Sequence, residues 1–123
     1  MSAEAIPEKL EYFISEKGPF LVVSLNGTIA KNTTPVLDEC REKITQANTK
    51  KVILSLHDVS RIDLNGLPAL AQLQQAVRSK PATLRLCFIK KDVAQTLFDK
   101  AIVRKDEVTM DLKEALESLK DAP

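Results

Sequence analysis

Few residues in this 123-residue chain have the types and spacing that chemistry requires. Its single histidine, His57, is followed at once by Asp58, which raises the question of an acid/base pair. The two stand at the end of a strand-like run, where adjacent side chains point to opposite faces, so the reading favours an exposed or loop-capping histidine. Asp63 lies two residues before Asn65, and this could be one end of a metal or phosphate site. No second carboxylate and no glycine-rich phosphate loop stands at a useful spacing, so the aspartate is assigned to structuring its loop. Cys40 and Cys87 lie far apart, outside any Cys-x-x-Cys pair, one on an apolar helical stripe and one in an apolar run. Free thiols in such settings behave as small buried hydrophobes, and zinc or redox-motif chemistry is set aside. The sequence therefore predicts no catalytic residue, no metal site, no cofactor and no enzyme.

The elements that would position these residues alternate in type. Residues 11–15 and 20–26 are β-prone runs separated by Glu16-Lys17-Gly18-Pro19, the composition of a hairpin turn. Thr34-Pro35 offers a cap with proline at the first helical position, and Leu37, Cys40, Ile44 and Ala47 recur at helical spacing. Residues 52–56 form an aliphatic run that suits a strand covered on both faces. After a loop over residues 57–63, Leu67, Leu70, Leu73 and Val77 mark a second helical stripe with Gln72, Gln75 and Arg78 facing away, and Pro81 prevents its continuation. Residues 84–89 read as a fourth strand. Asp92-x-x-Gln95 resembles a capping box for a helix that buries Val93, Leu97 and Ala101. A weaker strand at 107–110 leads to Asp111-x-x-Glu114 and a last helix carrying Leu112, Ala115, Leu116 and Leu119. The order ββαβαβαβα predicts an α/β sandwich, a mixed and mainly parallel sheet of four or five strands with about four helices.

Composition bounds the partners. With 44% hydrophobic and 28% charged residues, the chain has the profile of one domain over residues 1–123, ordered over about 8–120 and loose at its ends. The 18 Lys+Arg nearly cancel the 17 Asp+Glu, and the basic pairs Lys50-Lys51, Lys90-Lys91 and Arg104-Lys105 are scattered without interleaved aromatics. Nucleic acid is not expected as a partner. No stretch is long and apolar enough to span a bilayer, and the N-terminus lacks a signal core, so a cytoplasmic protein without membrane insertion is expected.

Pro68 limits where the second helix can begin, because it lacks the N–H that later helical residues must donate. Asn65 is the best N-cap by residue type, a role worth about 0.5 to 2 kcal/mol. A helix start there would favour an anion, but no lysine or arginine clamp accompanies it.

The run from Val52 to Leu67, ending Asp63-Leu64-Asn65-Gly66-Leu67, resembles the strand, loop and helix start of STAS domains, whose usual form ends Asp-Ser-Ser-Gly-Leu. Leu25-Asn26-Gly27-Thr28-Ile29, Thr34-Pro35, Leu84-Arg85-Leu86 to Val93 and Ala115-Leu116 extend the resemblance over most of the chain. It implies the anti-sigma-factor-antagonist fold. In that group the serine just before the motif glycine is phosphorylated by a partner kinase, which breaks the complex; the position here is Asn65. Ala30 and Ser55 stand where the family commonly carries aspartates. What the resemblance implies is a bacterial signalling module for transcription regulation, docking an anti-sigma factor or regulatory ATP-binding kinase through Ser60, Arg61, Asp63, Leu64, Asn65, Gly66 and Leu67, with Leu64 as the apolar contact. The alternative is a STAS subunit of a multi-protein assembly, either a phospholipid-transport ABC complex or a stressosome-like particle. A small-molecule or nucleotide sensor is the third class.

Overall fold

The computed structural model describes residues 9–47, 49–79, 82–104 and 107–120, with the backbone alone at Asp92. The chain ends expected to be loose lie largely outside the described residues. Strand β1 (Leu10–Lys17) turns through Gly18-Pro19 into β2 (Phe20–Ile29), and the two pair antiparallel with Lys17 opposite Phe20. Gly18 has φ +61°, the positive first angle that a type II′ hairpin turn requires. Helix α1 (Thr34–Gln46) then crosses to β3 (Lys51–Ile62), and α2 (Leu67–Ser79) crosses to β4 (Thr83–Cys87). Both crossovers give parallel pairs, so the sheet order is β1-β2-β3-β4. Helices α3 (Lys91–Asp99) and α4 (Leu112–Lys120) follow.

Period-two burial assigns the faces. Leu21, Val23 and Leu25 of β2, with Val52, Leu54 and Leu56 of β3, join the stripes of α1 and α2 and Leu97 of α3 in one core. Val22, Ile53 and Cys87 point the other way and meet Ala115 and Leu119 of α4. The first half of β3 is covered on both faces, as its mostly aliphatic run predicts.

Several boundaries differ from the sequence expectation, each for a local reason. Strand β3 does not give way to a loop at His57. It continues to Ile62 because β2 continues to Ile29 and supplies partners, with Asn26 opposite Asp58 and Ile29 opposite Ile62. Two bulges put extra residues in β3, between the Ser24–Ser55 and Asn26–Asp58 pairs and again between Gly27–Val59 and Thr28–Arg61. The fifth strand shrinks to one parallel bridge, Leu86 to Val108. Thr109 and Met110 still exchange backbone bonds with Leu86 and Phe88, but the Glu107 carboxylate pairs with Arg78 and accepts from the Arg104 N–H, and the Met110 N–H donates to Glu114. Arg78 is accordingly half-buried, not turned to solvent.

Helix starts also shift. Thr33, not Thr34, is the α1 cap residue, with Pro35 in the first turn. Helix α3 begins at Lys91, one residue ahead of the expected cap Asp92, and Gln95 bonds Asp99. Ala101 is exposed in a left-handed conformation, φ +57°, instead of buried in α3. At α4 half of the box forms: Asp111 Oδ1 accepts from the Glu114 N–H at 2.9 Å, while the Glu114 carboxylate accepts from the Met110 N–H and not from the cap residue's own.

Candidate functional site: the turn between β3 and α2

The β3 end is fastened to β2. Ser60 Oγ donates to the Gly27 carbonyl at 3.2 Å, and the Asp63 N–H donates to the Ile29 carbonyl at 2.8 Å. From there the chain makes one 3-10 turn, Leu64–Gly66, before α2 begins at Leu67. The capping residue of this turn is Asp63, whose Oδ1 accepts from the Asn65 N–H at 2.9 Å while its carbonyl accepts from the Gly66 N–H at 2.9 Å. Asn65 is therefore not the N-cap. The inserted turn satisfies early donors by i to i+3 bonds and moves the helix start past the asparagine, leaving Pro68 in the first turn where it costs nothing.

Gly66 is pressed against the end of β2. A Cβ there would lie 2.8 Å from the Ala30 nitrogen and 2.9 Å from the Ile29 carbonyl carbon, both backbone atoms that cannot yield. Ala30 is itself held by buried Thr33, whose Oγ1 accepts from the Ala30 N–H and donates to the Thr28 carbonyl, each at 2.9 Å. The turn is thus braced from inside by backbone.

Of the seven expected contact residues, Gly66 and Leu67 are buried and form the brace, while Ser60, Leu64 and Asn65 are exposed. Arg61 and Asp63 make a partly solvated ion pair at 3.6 Å, which at such exposure contributes little to stability. Leu64 is 65% exposed, an aliphatic side chain on the outside of a rigid turn. It rises between two grooves, one lined by Ile62, Val93 and Leu97, the other by Pro68, Ala71 and Ile102. Asn65 faces a polar notch with Lys31 and Asn32. Sequence reasoning missed Lys31, Asn32 and Ile102; the last reaches the groove only because the chain reverses at Ala101, and no local pattern marks that reversal.

The residues suited to chemistry are not assembled for it. His57 and Asp58, expected on opposite faces, come within 3.0 Å through Nδ1 and Oδ1 because the first bulge breaks the alternation. The pair lies in solvent, and the imidazole packs edge-on against Phe88 at 5.0 Å beside a cleft of about 210 Å³. Both cysteines are free and buried. Burial, with Glu39 nearby, pushes the Cys40 thiol up to about 12. Burial pushes Cys87 up to about 11, against a bond to Ser55 and with Asp111 adding to the rise. Neither is a thiolate nucleophile near neutral pH. Among the described residues no group of three or more His, Cys, Asp or Glu could hold a metal ion, and no helix is long and apolar enough to cross a membrane.

The STAS domain family model matches residues 13–117, and the chain belongs to the STAS family. Solved structures with the same fold include an anti-sigma factor antagonist from Mycobacterium paratuberculosis, at TM-score 0.80 and 16% identity over 96% of this chain and 100% of that one. A sulfate transporter family protein from Wolinella succinogenes matches at TM-score 0.73 and 20% identity, over 85% of this chain and 87% of that one. The Bacillus cell fate determinant SpoIIAA in its phosphorylated form matches at TM-score 0.67 and 12% identity, over 89% and 99%. At these identities the likeness is one of fold. No curated protein matches the chain.

Proposed function

We propose that this chain is a non-catalytic regulatory module of the bacterial cytoplasm that docks a protein partner, an anti-sigma factor or regulatory kinase, through the turn between β3 and α2. The observation that carries the reading is Leu64, 65% exposed yet held on a turn braced by Asp63 and Gly66. A large apolar side chain on a preorganised surface, flanked by grooves, has the anatomy of an interface contact that loses little entropy on binding. Asn65 stands beside it, exposed, in the position where anti-sigma-factor antagonists carry the phosphorylated serine. Its amide cannot take a phosphate, so the surface is fixed in the docking form. Of the hydroxyl side chains near the turn, Thr33 is buried and Thr34 half-buried, which leaves the exposed Ser60 as the accessible one.

Charge at Asn65 tests the reading. Asn65→Asp adds one negative charge and imitates part of the phosphorylated state, so partner capture should weaken while circular dichroism stays unchanged. Asn65→Ala removes the amide without charge and should bind within about threefold of the wild type, a cost under 1 kcal/mol. Equal capture by both variants and the wild type places the interface elsewhere. The second reading, a subunit of a phospholipid-transport complex or stressosome-like assembly, draws on Met110, which is 76% exposed outside the turn, and on the likeness to a sulfate transporter family protein.

A further inference from the structure

Strand β1 ends the sheet, and among the described residues nothing pairs with its outer edge. An edge of eight residues carries a row of unmet backbone donors and acceptors, which proteins cover, blunt or pair. On the side of the sheet where α4 packs over β3 and β4, the β1 residues Glu11, Phe13, Ser15 and Lys17 are all exposed, Phe13 at 58%. Glu11 and Lys17 make no ion pair within the described residues, and six residues apart along one strand they stand roughly 20 Å from each other, too far to meet.

We propose that two copies of this chain join their β1 strands antiparallel about a two-fold axis at Ile14, continuing the sheet from four strands to eight. Directly opposed residues in an antiparallel pair share a face, so the numbers of each opposed pair must sum to an even value. The register centred on Ile14 opposes Glu11 to Lys17 of the second copy, and the two-fold axis makes that ion pair twice. It also opposes Phe13 to Ser15, which puts the two Phe13 rings diagonally across the seam, within aromatic reach and sheltered from water. The neighbouring even register, centred on Phe13, sets Glu11 against Ser15, sets Leu10 against Glu16 and sets Lys17 against Lys9, a like-charge pair. Charge complementarity therefore selects Ile14, and the same charges disfavour indiscriminate edge pairing. A seam of one strand pair is small, so the dimer forms in a concentration-dependent way. The Leu64 turn takes no part, and the proposal stands apart from the docking reading.

Sedimentation equilibrium of the 123-residue chain, from low micromolar to millimolar concentration, tests it. The wild type should dimerise. Glu11→Lys and Lys17→Glu each replace two attractive contacts by two repulsive ones and should raise the dissociation constant roughly tenfold or more. The double variant Glu11→Lys/Lys17→Glu restores opposite charges with their places exchanged and should return to within about threefold of the wild type. Both substituted positions are solvent-facing, and circular dichroism verifies that the variants fold. A wild type that stays monomeric at millimolar concentration overturns the proposal, and so does a dimer that the single charge reversals leave unchanged or the double variant fails to restore.

Discussion

The backbone N–H of Asn65 donates to Asp63 Oδ1 at 2.9 Å, which makes the aspartate, and not the asparagine, the residue that holds the exposed turn in shape. The residue proposed to meet a partner is thereby separated from the one that fixes the backbone. Substitutions at the two positions should behave differently.

Asp63→Ala removes the acceptor for the Asn65 N–H and the partner of Arg61, and should cost about 1 kcal/mol, the usual worth of a cap. Asn65→Ala removes an exposed amide and should change stability by less than about 0.5 kcal/mol, as surface substitutions do. Urea midpoints with unchanged slopes distinguish the two. If Asn65→Ala proves the costlier change, the asparagine caps α2 after all.

Helix α3 ends in a Schellman turn, in which the Ile102 N–H donates to the Leu97 carbonyl at 2.9 Å and the Ala101 N–H donates to the Phe98 carbonyl at 3.0 Å. Ala101 takes the left-handed position that glycine normally fills, at a steric cost of about 1 kcal/mol or more. Ala101→Gly should raise stability by up to about 1 kcal/mol, even after glycine's greater freedom in the unfolded chain is subtracted. Thermal unfolding measures it, and a lower melting temperature for the glycine variant would contradict the assigned conformation.

The buried thiols predict a pH dependence on the alkaline side. Their folded values, about 12 for Cys40 and about 11 for Cys87, lie above the roughly 8.5 of an exposed thiol. The contribution is fully present below the unfolded value and is lost as pH rises through it toward the folded values, because the unfolded chain ionises first. Stability should therefore fall between about pH 9 and 11, and the share owed to Cys40 is the part of the slope that vanishes in Cys40→Ala. A thiol reagent at pH 8 should label the native protein only through unfolding. Rapid native labelling of either cysteine would show that it is not buried.

Most of the architecture was legible because it rests on periodicity. Leu37, Cys40 and Ile44, and then Leu67, Leu70, Leu73 and Val77, were placed inside by spacing and are buried. What escaped depends on partners remote in sequence. The length of β3 follows from β2, the loss of the fifth strand from the Glu107–Arg78 pair, and the meeting of His57 with Asp58 from a bulge. At the turn, residue type made Asn65 the expected cap, but asparagine and aspartate cap almost equally well. Only the observed 3-10 turn assigns the cap to Asp63. The close approach of Gly66 to Ala30 follows from tertiary packing, which the motif glycine suggests without giving its neighbour.

The most direct measurement of the docking account is quantitative capture of partner proteins from a lysate of the source organism on immobilised wild type, Leu64→Lys and Met110→Lys. Leu64 and Met110 are both strongly exposed, at 65% and 76%, so neither lysine should disturb the fold, and circular dichroism verifies this. Lysine at Leu64 would bury an unpaired charge in the contact, which costs several kcal/mol and should abolish capture. The account predicts that an anti-sigma factor or ATP-binding regulatory kinase is retained by the wild type and Met110→Lys and is lost from Leu64→Lys. Full retention by Leu64→Lys, or loss only on Met110→Lys, would contradict it and assign the contacts to another surface of the domain.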